Sequence, residues 1–445
     1  MESSRQRIPQ LPPYGQFMGQ PSSSQQASHS GTSPPRRTDH SYTLTSSKNV
    51  AWAKLSVSSR ARFPNHLPSF FEGEDITGSV DLNLEREESI KSVAVSVVGQ
   101  ITTSATDVYS FLHITDVLWD RAMGDPSQTS QGGSPTFSGK LRGEYTWPFT
   151  LKVPAHVTLP NPSGVQESWR IPPSFSEKLA RVHIQYQLIC HLRRGKFRVD
   201  SKIGTVIAFT PIIKPPSFPN ARKLAYINNA PLPGPDMHPD IWESLPTVQL
   251  PGRIFRMRTI HPRLTLWLAK PLSYTRGSVI PCTMRIECPD AQALDLLAAP
   301  DALDIRLRRH ISMGLADVSS TSTGAPSYAI EFEETAEDVK SAVWWPIRQG
   351  ATYRALAGEI HLPRELKPSC CIGRFKLSYT IDIYPLQAVA FTTENEDIRS
   401  LQSRVVDLVT AYAPGPRPKV YCPSPPSYDD ASSILSPSEM SFRPV

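Results

Sequence analysis

Apolar and polar residues alternate along the middle of this chain with a period of two. Ile76, Gly78, Val80, Leu82 and Leu84 form one row, and Val93, Val95, Val97, Gly99 and Ile101 form the next, after the acidic turn EREES. A third row runs through Tyr145, Trp147, Phe149, Leu151 and Val153, and a fourth through Val182, Ile184, Tyr186, Leu188, Cys190 and Leu192. Successive side chains of a strand point to opposite faces, so each row predicts a strand with one face on a core. The basic turn RRGK then leads to Phe197 and Val199 and to an apolar strand over 203–209. Alternation resumes with Leu264, Leu266 and Leu268, continues with Ile280, Cys282, Met284, Ile286 and Cys288, and ends with Phe375, Leu377, Tyr379, Ile381 and Ile383. DAQALDLLAAPDALDIRLRR has room for a short helical turn, which Pro300 keeps from becoming one continuous helix.

Strands at this spacing, with Pro and Gly between them and no helical crossovers, predict an all-β fold of two consecutive antiparallel β-sandwiches. The first is expected over residues 48–215 and the second over 256–392, joined over 216–255 by a Pro-rich, semi-extended linker that contains NNAPLPGPDMHPDIW. Residues 1–47 and 393–445 lack sustained periodicity and are expected to be disordered tails. The polar stretch 124–139 is expected to be a mobile loop inserted between strands. Composition agrees, because 44 prolines among 445 residues oppose long helices and favour strands joined by turns.

Charge and cysteine usage bound the chemistry. The net charge of +6 is a mild excess, with 47 basic residues offset by 41 acidic ones. No apolar run reaches the length of a membrane-spanning helix, and the six cysteines form no CxxC pair, so a cytosolic protein with free thiols is expected. GGSPTFSGKL departs from a phosphate loop in its glycine spacing and puts Leu141 where a magnesium-binding hydroxyl belongs. HExxH, GxSxG and metal-ligand histidine spacing are all absent from the sequence, so no enzyme activity, metal or cofactor is expected. Two basic clusters remain. HLRRGKFR gathers Arg193, Arg194, Lys196 and Arg198 at a hairpin turn, and RLRRH gathers Arg306, Arg308 and Arg309. Either is a solvated turn or a contact for phosphate on a lipid or a phosphorylated partner. Nucleic acid is not expected, because no recognition helix, zinc spacing or stacking aromatics accompany them.

The C-terminal stretch CPSPPSYDD contains PPxY: Pro425, Pro426 and Tyr428 around Ser427. Two prolines preset the backbone near polyproline II, and the tyrosine follows about one turn later on the same side, which suits the aromatic groove of a WW domain. So few residues give weak docking, on the order of 10 to 100 µM. Leu11, Pro12 and Tyr14 form a looser LPxY variant at the other end, and two weak sites together raise occupancy by avidity. Ser432, Ser433, Ser436 and Ser438 are candidate phosphorylation sites beside Asp429 and Asp430.

FFEGEDITGSVDLNLEREESIKSVAVSVVGQIT, YTWPFTLKVPAHVTLP, VHIQYQLICHLRRGK and LAKPLSYTRGSVIPCTMRI, in that order, resemble the α-arrestin, or arrestin-related trafficking adaptor, family over roughly residues 50 to 390. The resemblance implies two arrestin-type sandwiches. It also implies an adaptor that binds a plasma-membrane transporter or receptor and recruits a WW-domain HECT-type ubiquitin ligase through Pro425, Pro426 and Tyr428. Ubiquitination of the cargo would then drive endocytosis and sorting, and the cytoplasmic protein would be recruited to plasma membrane and endosomes. Two other functions fit the same residues. One is an arrestin-fold scaffold in a signalling or retromer-like sorting complex without ligase recruitment; the other is peripheral binding to anionic lipid through Arg193, Arg194 and Lys196.

Overall fold

The computed structural model describes residues 37–422, apart from 47, 104–106, 128–135, 161–164, 178–179, 196–197, 315–331 and 395–399. The first half contains twelve strands: β1 (Thr38–Thr45), β2 (Ala51–Ser59), β3 (Ser69–Phe71), β4 (Asp75–Glu88), β5 (Ile90–Thr102), β6 (Val108–Asp120), β7 (Leu141–Lys152), β8 (His156–Pro160), β9 (Gln166–Arg170), β10 (Phe175–Glu177), β11 (Val182–Arg194) and β12 (Ser201–Thr210). They form a four-stranded sheet in the order β1-β2-β4-β7 and a larger one in the order β3-β12-β11-β5-β6, with β10 added to β11; β8 and β9 pair separately. The predicted rows meet face to face. Leu55 lies opposite Val80 in one sheet, Leu188 opposite Val97 in the other, and all four are buried in one apolar core.

The second half begins with helix α1 (Asn220–Ile227) and β13 (Trp242–Ser244), β14 (Val248–Gln249), β15 (Gly252–Ile254), β16 (Arg258–Ile260), β17 (Arg263–Ala269), β18 (Ser273–Thr275) and β19 (Val279–Glu287). Helix α2 (Ala291–Leu297) is followed by β20 (Ile305–Gly314), β21 (Phe332–Ser341), β22 (Val343–Gln349), β23 (Tyr353–His361), β24 (Cys370–Ile372), β25 (Phe375–Ile383), β26 (Phe391–Thr393) and β27 (Gln402–Val409). The sheets read β13-β17-β19-β23-β22 with β14 added, β18-β27-β25-β20-β21 with β24 added, and a small β16-β15-β26. The fold is all-β, and its two halves repeat one topology. In each, a three-residue strand pairs parallel with the last long strand, β3 with β12 and β18 with β27. The repeat extends to single atoms: the buried hydroxyl of Tyr186 donates to the Pro172 carbonyl at 2.6 Å, and that of Tyr379 to the Lys367 carbonyl at 2.7 Å.

Gly99 has a packing reason. A Cβ there would come within 2.7 Å of the Phe111 ring, which needs that space to meet Tyr186 edge-on at 5.5 Å.

Four stretches and one residue differ from the periodicity. Residues 216–255 do not behave as an open linker: α1 buries Arg222, Ala225 and Tyr226, while Ile241 and Trp242 close a small apolar cluster with Ala269. Proline rings interrupt hydrogen-bonded pairing but leave the apolar residues between them free to pack. Structure also continues past residue 392, because β27 buries Val406 and Leu408 in the second sandwich. At the other end β1 already belongs to the four-stranded sheet. Within 124–139, the Phe137 amide donates to the Arg121 carbonyl at 2.8 Å and its ring stands edge-on to Trp119 at 6.0 Å; residues 128–135 lie outside the described part. Val199, which follows the basic turn, is 88% exposed.

Candidate functional site

The first basic cluster lies where β11 ends, and the fold supplies it with counter-charges. Arg194 stacks over the Trp52 ring at 4.7 Å, lies 3.9 Å from the Glu88 carboxylate, and donates its backbone N–H to Asp200 at 2.8 Å. Arg198 also pairs with Glu88. The Arg194 amide, followed by His191 and Arg193, holds the Asp200 carboxyl below the usual carboxylate range. Arg193 is exposed, and Lys196 lies outside the described residues. A free phosphate would therefore have to compete with Glu88 and Asp200 for Arg194 and Arg198.

The second cluster is consumed in a network. Arg306 bridges Asp304 at 2.6 Å and Asp338 at 2.6 Å, and these hydrogen bonds, Asp304 first, raise its already high pKa. Arg308 takes Asp338 at 2.9 Å and the buried Asp382 at 3.6 Å. Arg309 reaches across to the first sandwich, where it meets Glu177 on β10 at 2.5 Å, and also holds Glu337 at 2.8 Å. Beside it, Phe175 packs on Phe375 with ring centroids 5.5 Å apart. RLRRH, in this arrangement, joins the two sandwiches. The signal for this was present: Arg309 lies opposite Tyr379, two residues from Leu307 and Ile311 in an otherwise apolar row, a position that a solvated arginine would not hold.

The PPxY stretch expected to dock a WW domain, Pro425, Pro426 and Tyr428, lies outside the described residues, as do Leu11, Pro12 and Tyr14 and the serines Ser432, Ser433, Ser436 and Ser438. The structure does describe the stretch leading to PPxY. After β27 the Thr410 hydroxyl donates to the Pro211 carbonyl at 2.7 Å, and the Ala411 amide to Ile213 at 2.9 Å, so the chain recrosses the junction of the sandwiches. Arg417 then lies over the Tyr412 ring at 4.2 Å, and Lys419 bonds to Asn229. Tyr421 donates its hydroxyl to the Ala230 carbonyl at 2.6 Å.

Glu359 closes this strap. Its carboxylate, 1% exposed on β23, accepts the Tyr421 amide at 3.0 Å and the Cys422 amide at 3.1 Å. Burial pushes the Glu359 carboxyl up, and the two amides partly pull it back. A carboxyl raised in the folded state binds its proton more tightly there than in the unfolded chain. Its cost to stability is thus fully present above the raised value and is relieved as pH falls toward the ordinary carboxylate range. The neighbouring His361, pushed down by burial and then by Lys340, favours the neutral ring. Glu359→Ala is expected to speed hydrogen exchange of the Tyr421 and Cys422 amides about tenfold or more, since a hydrogen bond to a charged group is worth about 1.5–3 kcal/mol. Unchanged exchange at both would mean that other contacts hold the strap.

All six thiols are free, with Cys190, Cys282 and Cys288 buried and Cys371 exposed. Burial pushes the Cys190 thiol up to about 12, so it is an inert core group. Among the described residues no three His, Cys, Asp or Glu side chains are grouped to hold a metal ion, and no helix is long and apolar enough to cross a membrane. An open depression of about 430 Å³ beside β22 is lined by Asp295, Arg348 and Arg354. Asp295 and Arg354 pair with each other there at 2.6 Å, and Arg348 lies 3.5 Å from Asp236. No model of a known protein family matches the chain, and no curated protein matches it.

Proposed function

We propose that this chain is a trafficking adaptor that binds membrane transporters or receptors and brings a WW-domain HECT-type ubiquitin ligase to them. The observation that carries this is PPSY at 425–428, which begins three residues past Cys422, the last residue of a strap anchored on Glu359. Support also comes from the two repeated sandwiches, which offer large sheet faces for cargo, and from the family resemblance of their strand order. In this function the sandwiches choose the cargo and Tyr428 brings the enzyme that tags it. The protein itself carries out no chemistry and needs no cofactor.

The test is retention of the full chain on isolated WW domains. Tyr428→Ala is expected to weaken retention tenfold or more, because the tyrosine supplies the aromatic contact that follows the polyproline turn. Combining it with Tyr14→Ala separates one site from two, since avidity is lost only if both dock. Equal retention of wild type and Tyr428→Ala would remove the ligase from the proposal and leave a scaffold of a signalling or sorting complex.

A further inference from the structure

The hairpin β15–β16 carries strain and exposed apolar surface that cargo tagging does not require. Its turn, Ile254 to Met257, is closed by the Met257 amide donating to the Ile254 carbonyl at 3.1 Å. The two central residues, Phe255 and Arg256, have φ of 52° and 62°. Positive φ at both positions is the primed hairpin turn that ordinarily takes Asn-Gly, since a residue with a β-carbon is disfavoured there. The Phe255 amide donates to the Ala390 carbonyl at 2.8 Å, and Ala390 also has a positive φ, 64°. Half of the six described non-glycine residues with positive φ therefore meet at one tip. Backbone conformations of this kind cluster at ligand clamps and other functional surfaces.

The strain does not serve the core. Met257 is 89% exposed, Val389 in the adjoining loop 83%, and Phe255 46%. Around them the sequence RIFRMR adds three arginines. Arg258 is taken by Asp290 at 2.9 Å, whereas Arg253 and Arg256 are exposed and form no ion pair with a described residue. An apolar tip ringed by unpaired guanidinium groups matches a surface that is apolar inside and anionic at its rim, which is the interface of an acidic bilayer. Arginine suits that rim because it can bind phosphate by two hydrogen bonds while its stem lies against acyl carbon.

We propose that the β15–β16 tip inserts Phe255 and Met257, with Val389 beside them, among the headgroups of an anionic membrane, while Arg253 and Arg256 bind lipid phosphate. This moves the lipid contact from the turn at Arg193 and Arg194, where Glu88 and Asp200 already supply counter-charge, to the second sandwich. It does not depend on ligase recruitment.

The experiment is sedimentation of the full chain with vesicles of phosphatidylcholine, with and without phosphatidylserine. Binding is expected only with the anionic lipid and is expected to fall as salt rises. Phe255→Asn with Arg256→Gly installs the residues the turn ordinarily takes. This double variant is expected to melt no lower than wild type and yet to bind vesicles about tenfold or more weakly, so misfolding cannot explain the loss. Arg253→Gln with Arg256→Gln should weaken binding and flatten its salt dependence, whereas Arg193→Gln should leave it unchanged. Phe255→Trp should be quenched by brominated acyl chains, which reports insertion directly. Absence of binding to anionic vesicles, binding untouched by the hairpin variants, or binding without quenching would each overturn the proposal. Equal competition by soluble polyglutamate would instead assign the tip to an acidic protein partner.

Discussion

Arg222→Met is expected to lower the unfolding free energy by about 2–4 kcal/mol, read as a shift of the urea midpoint at constant slope. The Arg222 side chain is completely buried, and its contacts are carbonyls and rings. It donates to the Ala269 carbonyl at 3.2 Å, to the Lys270 carbonyl at 2.5 Å and to the Tyr226 hydroxyl at 3.0 Å, and it lies over the Phe218 ring at 4.4 Å. Methionine fills much of the same volume, so the cavity term is small. It leaves the Lys270 carbonyl without this donor, at about 1–3 kcal/mol, whereas the Ala269 carbonyl keeps the Tyr274 hydroxyl at 2.7 Å. Relief from desolvating a charge offsets part of that loss. Arg222→Lys keeps the charge but not the planar fork and should recover only part of the stability. An unchanged midpoint for the methionine variant would mean that α1 does not rest on this arginine.

Arg309→Ala should cost a similar amount, about 2–4 kcal/mol, with a consequence at longer range. Arg309 and Glu177 are only 15% and 18% exposed, so the pair is screened less than a surface bridge. The substitution removes the cation shared by Glu177 and Glu337 and, with it, the charged link between the sandwiches. Glu177→Gln should cost less, because Arg309 keeps Glu337 at 2.8 Å. A double-mutant cycle is expected to show a coupling of about 1–3 kcal/mol. Scattering should show a broader distribution of the two halves in Arg309→Ala. Additive losses would mean that Phe175 on Phe375, rather than the ion pair, sets the junction.

The parts of this structure that were legible in sequence share one property: they depend only on neighbours in the chain. The rows from Ile76 to Leu84 and from Phe375 to Ile383 are local patterns, and the core faces follow from them. The strand spacing likewise indicated two sandwiches. Arg222 was not legible, because a lone arginine in NARKLAYI looks like a solvated helix residue. The backbone carbonyls of Ala269 and Lys270, nearly fifty residues away, join the Tyr226 hydroxyl in making its burial tolerable. The strap on Glu359 was equally hidden, since its bonds go to backbone amides, which every sequence supplies.

The sequence by itself determined the class of fold, the two-fold repetition of its strand pattern and the placement of PPSY at 425–428, beyond the last described residue. Alternation and proline placement act through local geometry, and a linear motif needs no partner within its own chain. Tertiary structure decided which charges remain available. It buried Arg309 against Glu177, covered Arg194 and Arg198 with Glu88, and left Arg253 and Arg256 beside an exposed phenylalanine. Formal charge is a property of a residue, but its capacity to bind a partner is set by the dielectric and counter-charges around it, and those come from distant segments, 132 positions away in the case of Arg309.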